Sequence, residues 1–174
     1  MELTNILGAL TGNDAINAIS QNLKIDQKQV SSVITAALPS FLGAMQKNAS
    51  TEAGAASLAQ ALGQHAGNAG NILNNLKGSD LTDGNKILSH IFGSNLGNVL
   101  GGISKQTGVA SNSVSSILAS IAPSLLALLG KGQQTSGVNA AGLAGMLGTL
   151  MGGGQQQSSG LGSILGGLGG IFGK

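Results

Sequence analysis

The sequence predicts an all-α fold: a multihelical domain of two related helical repeats, followed by a glycine-rich C-terminal tail. Apolar residues recur at helical spacing, and no stretch alternates apolar and polar residues as a half-buried strand would. Residues 16–47 also align without a gap onto residues 100–131, which indicates an internal duplication. Identical residues at equivalent positions of the two copies include Ile19/Ile103, Ser20/Ser104, Val30-Ser31-Ser32/Val114-Ser115-Ser116, Pro39-Ser40/Pro123-Ser124, Leu42/Leu126 and Lys47/Lys131.

The first predicted helices follow from apolar spacing and from residues that suit an N-cap. A short opening helix carries its apolar residues on one stripe: Leu3, Ile6, Leu7 and Leu10. Asn13 is the expected N-cap of a second helix over residues 14–24. Asp26, followed three residues later by Gln29, resembles a capping box and predicts the start of the first long helix.

Each repeat contains a long helix with one apolar stripe and an internal proline. The stripe of the first consists of Val30, Val33, Ile34, Ala37, Leu38, Phe41, Leu42 and Met45. The stripe of the second consists of Val114, Ile117, Leu118, Ile121, Leu125, Leu126 and Leu129. Pro39 and Pro123 each remove a backbone donor and crowd the carbonyl four residues earlier, at a cost of about 3 kcal/mol. We therefore expect a bend or a break at each, and the equivalent positions favour a bend that wraps the core.

The segment between the two repeats is predicted to contain weaker helices, because it is rich in Ala, Gly and Asn. Residues 51–77 form two short helices separated near Gly67, and residues 78–80 form a turn. Thr82 or Asp83 is the expected N-cap of the next helix. The apolar residues of that helix are Ile87, Leu88, Ile91 and Phe92.

Two further helices are predicted before the second long helix, and a glycine is expected to end each of them. Gly93 ends the helix that precedes it, and Ser94 is the expected N-cap of a helix that runs to about Gln106. Gly108 then makes the turn into the second proline-containing helix.

Several of these segments resemble the bacterial YidB-like family. They are the Val-Ser-Ser helix ending in Pro39-Ser40, the segment Ile87-Leu88-Ser89-His90-Ile91-Phe92-Gly93, and Thr107-Gly108-Val109 leading to Ala122-Pro123. The resemblance covers roughly residues 1–131 and rests on order and spacing. It implies a multihelical duplication and a domain of unknown function, and it supplies no catalytic residues.

Composition restricts the classes of function and of location. The chain has no Cys, Trp, Tyr or Arg, so disulfides, thiolate chemistry and Cys-based zinc sites are excluded. Its first residues lack the features of a secretory signal, and no run of about 18 apolar residues is uninterrupted, so we expect a soluble cytoplasmic protein. Charged residues make up 8% of the chain, and surfaces with so little charge repel their copies weakly.

The sequence predicts no enzyme, no metal site and no cofactor. His65 and His90 are the only histidines, and they lie far apart in sequence; His90 is interpreted as a structural histidine. Residues 23–33 and 107–117 each resemble the turn of a helix-turn-helix, which leaves weak DNA binding as an alternative. The following helices carry no Arg and little charge there, so nucleic acid is not the favoured partner.

The glycine-rich tail, predicted over residues 132–174, contains the candidate interaction segment, residues 161–172. As a helix the segment would place apolar residues on one stripe and glycines on another: Leu161, Ile164, Leu165, Leu168 and Phe172, and Gly162, Gly166 and Gly170. The sequence favours a non-enzymatic interaction or self-assembly protein, most simply a homo-oligomer, with another protein as partner left open. The alternative is a membrane-surface or membrane-active protein that uses the same tail.

Overall fold

The structure is a computed structural model that describes residues 8–152, with side chains described to Thr149, and within that range it is all-α with no strand. Residues 8–11 are helical, and eight α-helices follow. They are α1 (Asn13–Leu23), α2 (Gln27–Ala49), α3 (Glu52–Ala66), α4 (Ile72–Lys77), α5 (Leu81–Phe92), α6 (Leu96–Thr107), α7 (Ser111–Ser136) and α8 (Leu143–Gly152). Short 3-10 turns lie at Gly67–Asn71, Gly93–Asn95 and Ala140–Gly142.

Helix α7 is the centre of the fold. Between Ile117 and Gly130 every residue is buried except Pro123, which is half-buried. Helices α3 and α5 pack along α7, and α2, α4 and α6 also contact it. By length and composition α7 could cross a membrane, but 78% of its most apolar window is buried inside the protein. Most of its apolar side chains therefore pack inside the helical core.

The turns that precede α2 and α7 have the same backbone conformation. Lys24 and Gly108 end the preceding helices in the left-handed region, with φ of 56° and 71°. The residues directly before the two long helices, Asp26 and Ala110, have φ/ψ of −58°/139° and −56°/140°. The Asp26 carboxylate accepts the N–H of Lys28 at 2.8 Å, so the predicted start of α2 is confirmed.

Neither long helix breaks at its proline, so the expected break is wrong and the expected bend stays a prediction. Both α2 and α7 continue through Pro39 and Pro123. In α7 the missing N–H leaves the Ala119 carbonyl without its helical donor. Gly84 of α5 packs so closely there that a Cβ would overlap this carbonyl oxygen, so an α-hydrogen of Gly84 points at it. A weak Cα–H···O contact from the neighbouring helix thus takes the place of the lost bond.

Three helix starts differ from the predicted caps. Helix α1 begins at Asn13 itself, after Gly12, without a side-chain cap. Asp80, rather than Thr82 or Asp83, caps α5, and its carboxylate accepts the Thr82 N–H at 2.8 Å. Backbone and side-chain hydrogen bonds from Thr82 hold the pKa of Asp80 below its ordinary value. Ser94 lies inside a 3-10 turn instead of capping α6.

The first part of the predicted tail packs with the helices. Helix α7 extends to Ser136, beyond the predicted boundary at residue 131. Helix α8 then packs against α2, with Leu143 and Leu147 fully buried. Residues 132–152 therefore contribute to the fold, and residues 153–174 lie outside the described range.

Candidate functional site

A cleft between α3 and α5 brings the two histidines together. His65 near the end of α3 and His90 near the end of α5 line the same cavity of about 420 Å³. Asp83 and Lys86 of α5 are its charged neighbours. Its other lining residues include Ser57, Leu58, Gln60, Ala61, Gln64, Ile87, Ile91 and Leu126. Sequence separation gave no sign of this cleft, because it depends on how α3 and α5 pack on α7.

His65 is held by two oxygen atoms. Its Nδ1 lies 2.9 Å from the Ala61 carbonyl oxygen and its Nε2 lies 3.5 Å from Oδ2 of Asp83. Both partners are hydrogen-bond acceptors, so an Nδ1–H donates to the Ala61 carbonyl oxygen, and Nε2 donates to Asp83 only when the ring carries both protons. A ring that bonds the preceding turn of its own helix in this way is a structural histidine.

His90, for which the sequence suggested a structural role, is exposed on α5. It borders the histidine cleft on one side and a second cavity on the other. Within residues 8–149, no three His, Cys, Asp or Glu side chains come close enough together to hold a metal ion. The cleft therefore offers a surface of mixed polar and apolar character, and the described side chains assemble no metal centre there.

The second cavity is a groove of about 620 Å³ between α2 and the α5–α6 junction. Its floor is apolar, since Ile91 and Phe92 are 5% and 6% exposed and line it. Ala44 of α2 and Val99 of α6 form its partly buried walls, and Ser94 lies exposed at its edge. The Asn48 side chain donates to the Ile91 carbonyl at 2.8 Å and fixes α2 against the end of α5. We call this cavity the α2–α6 groove.

The predicted interaction segment, residues 161–172, lies outside the described residues. The last described helix, α8, runs beside α2, where a Cβ on Gly148 would lie 3.1 Å from Nε2 of Gln46. Gln46 is one residue from Lys47, which lines the α2–α6 groove. The chain therefore leaves the described range within a few helical turns of that groove.

Short turns precede α2 and α7, as the sequence predicted, but little charge accompanies them. At the start of α2, Gln27, Lys28 and Gln29 are exposed, and at the start of α7 the exposed residues are Ser111 and Asn112. One lysine supplies little attraction for phosphates. DNA binding stays a prediction that the fold does not favour.

The family comparison matches most of the chain. A model of the family described as "Bacterial protein of unknown function (DUF937)" matches residues 5–133. The chain belongs to this family. The DUF937 match ends within α7, and the resemblance to YidB-like proteins is consistent with it. No curated protein and no solved structure matches the chain.

Proposed function

We propose that the protein is a non-enzymatic self-assembly protein in which residues 161–172 of one copy dock into the α2–α6 groove of another. The observation that carries the proposal is how completely the helices cover their own apolar side chains. Among the described side chains, Leu73, at 40%, is the exposed large hydrophobic residue. Residues 161–172 add six large apolar side chains and no charge. The described helices already have a complete apolar core, so these side chains are available to bind another surface.

The groove suits a helix of this composition. Its floor is apolar, Lys47 and His90 are the ionisable residues of its lining, and Gly43 lines it where a partner helix would approach α2. Residues 153–160, all Gly, Gln or Ser, span at most about 29 Å when extended. The segment that follows is about 18 Å long as a helix.

The energetics favour a helix that forms on its partner. Five glycines within residues 161–172 cost about 1 kcal/mol each, so the isolated segment should not be helical in water. Full burial of its six large apolar side chains returns roughly 9–18 kcal/mol as an upper bound. With a net charge of +2, two copies repel each other weakly. These values favour association once a receiving surface is present.

Deletion of residues 155–174 tests the proposal. We expect the helix content, measured by circular dichroism, to stay that of the intact helical domain, because its core lies before Gly152. The mass measured by light scattering should fall from an assembly to a monomer. An unchanged assembly size would contradict the proposal. If the truncated protein assembles as before but no longer floats with liposomes, the membrane alternative is correct.

Substitutions in the groove provide the matched test. Val99→Glu, and Ser94→Glu at an exposed position, place a charge against the docking surface and should also reduce the assembly. Gln106→Glu adds the same charge to an exposed position of α6 outside the groove and should leave the mass unchanged. Equal effects of all three would show that net charge, rather than docking in the groove, controls the assembly.

We also infer that the fold arose from two related repeats, α1–α2 and α6–α7. The helix starts support this, since Gln27 and Ser111 differ by the same 84 positions as Ile16 and Leu100. The matching turn conformations support it too. Both turns close with a bond from the left-handed residue's N–H to an equivalent carbonyl, that of Ser20 or Ser104.

The repeat relation predicts that Lys24→Gly stabilises the protein. Lys24 occupies the left-handed position that Gly108 fills in the other turn. That conformation costs a non-glycine residue about 1–2 kcal/mol, and glycine avoids this cost. Glycine also has more conformational freedom in the unfolded chain, which reduces the gain by about 0.4–1 kcal/mol. Urea denaturation should show a net gain of about 0.5–1 kcal/mol. Gly108→Ala, the reverse change, should lower stability; a stabilising Gly108→Ala would contradict the equivalence.

A further inference from the structure

The likeness between the two halves of the chain extends beyond the long helices, to α3 and α8. Residues 55–63 align without a gap onto residues 140–148, and six of the nine positions are identical. The identical pairs are Ala55/Ala140, Ala56/Ala141, Leu58/Leu143, Ala59/Ala144, Leu62/Leu147 and Gly63/Gly148. Helix α3 packs on α7, the long helix of the other repeat, and α8 packs on α2. The two helices therefore occupy equivalent places, and their shared leucines are all buried.

Helix α5 also has a counterpart in the sequence. Residues 81–93 align without a gap onto residues 161–173, which come after α8 in the chain as α5 comes after α3. The identical pairs are Leu81/Leu161, Leu88/Leu168, Ile91/Ile171, Phe92/Phe172 and Gly93/Gly173. In α5 the shared Leu88, Ile91 and Phe92 are buried, and Gly93 ends the helix at positive φ. The segment thus repeats the residues with which α5 docks on the core.

The place that α5 occupies on α7 has an uncovered equivalent on α2. In α7, Ala119 is buried beneath Gly84 of α5. Its equivalent in α2, Thr35, is exposed, and so are Ser32 and Pro39 on the same side of the helix. Among the described helices, none covers these three residues as α5 covers α7. We call this surface the α2 outer face.

The residues at this face suit a helix that packs at a wider spacing than α5 does. Helix α2 has Thr35 where α7 has an alanine, and the segment has Ile164 where α5 has a glycine. Larger contact residues place helix axes further apart, within a usual range of about 8–10 Å. Met146 of α8 stands at the position where Ala61 of α3 lines the cleft toward α5. Met146 is half-buried, so it offers the segment a further apolar contact.

The chain is long enough for the segment to reach the α2 outer face of its own copy. Gly148 of α8 lies beside Gln46 of α2. Thr35 lies eleven residues before Gln46, about 17 Å along the helix axis. Residues 153–160 span at most about 29 Å when extended, so they can bridge this distance.

We propose that residues 161–172 dock on the α2 outer face of their own chain, as α5 docks on α7. The inference rests on the repeat relation and does not require self-assembly. Its consequence for assembly rests on the proposed function: a segment held on its own α2 is not free to enter the α2–α6 groove of another copy. The two contacts therefore compete for the same residues.

The competition gives substitutions on the two surfaces opposite effects. Thr35→Glu places a charge on the α2 outer face and should release the segment. We expect the mass measured by light scattering to rise at a given concentration, whereas Val99→Glu in the groove lowers it. An unchanged mass would overturn the competition. A lower mass would place the outer face in the interface between copies and would overturn docking within one chain.

Disulfide closure within one chain tests the docking itself, because the chain contains no cysteine. One variant combines Thr35→Cys with Ile164→Cys, at the position that aligns with Gly84. The matched control combines Thr35→Cys with Gly166→Cys. Gly166 aligns with Lys86, which is exposed on α5, so a cysteine there should face away from α2 although its tether has almost the same length.

In dilute protein, the Ile164→Cys pair should close at least about tenfold faster than the Gly166→Cys pair, at a rate that does not depend on protein concentration. Equal rates for the two pairs would show that the segment does not dock as α5 does, and would overturn the proposal. Covalent dimers in place of closed chains would overturn it as well. Closure within one chain does not require assembly, so this proposal and the self-assembly proposal can fail separately.

Discussion

Phe41→Ala should destabilise the protein by about 3–5 kcal/mol, the usual cost of removing a buried aromatic ring. Phe41 is fully buried, and its ring lies edge-on to Phe92 with the centroids 5.0 Å apart and the planes at 68°. The ring pair adds roughly 0.5–1.5 kcal/mol to the burial itself. The free energy of unfolding from urea denaturation, followed by circular dichroism, measures this loss.

Leu73→Ala is the control for that substitution. Leu73 is 40% exposed, so its truncation should change stability by less than about 1 kcal/mol. A loss below about 1 kcal/mol for Phe41→Ala as well would remove Phe41 from the core and would contradict the packing of α2 against α5.

Gly84→Ala should be the most damaging single-methyl addition to α5. The added Cβ would overlap the Ala119 carbonyl oxygen, and backbone atoms cannot move aside as a flexible side chain can. We expect a loss of at least about 1–3 kcal/mol, because α5 must shift away from α7. Thermal and urea unfolding of the variant measure the effect.

Gly63→Ala is the matched control on a neighbouring helix. Gly63 lies within α3, and a Cβ there would meet no atom within 4 Å. Alanine is the better helix former at such a position, so the substitution should stabilise the protein by about 0.5–1 kcal/mol. If Gly84→Ala stabilised the protein equally, the close contact between α5 and α7 would be absent.

The apolar stripes of the two long helices could be predicted, because helical period and burial coincide there. Every predicted stripe residue from Val30 to Met45, and from Val114 to Leu129, is buried. The turn at Gly108 and the helix end at Gly93 could also be predicted, since both glycines adopt positive φ.

The apolar stripes did not predict that α7 lies at the centre of the fold while α2 keeps one exposed face. Helix α7 is buried all round because small residues on its other faces let neighbours approach. Ala119 receives Gly84, and Gly130 is so close to the Leu62 carbonyl that a Cβ would overlap it. At the equivalent positions α2 has Thr35 and Gln46, whose side chains prevent such contacts. The small residues of α7 at these two positions mark the close helix contacts, but they can be interpreted in this way only once the packing is known.

The candidate sites were harder to predict than the core. His65 and His90 line one cleft because α3 and α5 both pack on α7, a tertiary arrangement that no local pattern encodes. The high glycine content placed the start of the predicted tail before α8. In the structure α8 packs in the core through Leu143 and Leu147, which are spaced by one helical turn.

Disulfide trapping between two copies tests the central claim most directly, because the chain contains no cysteine of its own. One variant carries Ser94→Cys in the α2–α6 groove, and a second carries Leu165→Cys in the segment. Activating one thiol as a mixed disulfide with thionitrobenzoate limits the product to the pair of different chains. A Gln106→Cys variant, outside the groove, replaces Ser94→Cys in the control mixture.

If residues 161–172 dock on another copy, mixing the two variants should give a covalent dimer of two 17.0 kDa chains, while the Gln106→Cys mixture should give little. A chain that carries both Ser94→Cys and Leu165→Cys distinguishes docking within one molecule from docking between two copies. Rapid closure of that chain, with no dimer from the mixed single variants, would contradict assembly between copies.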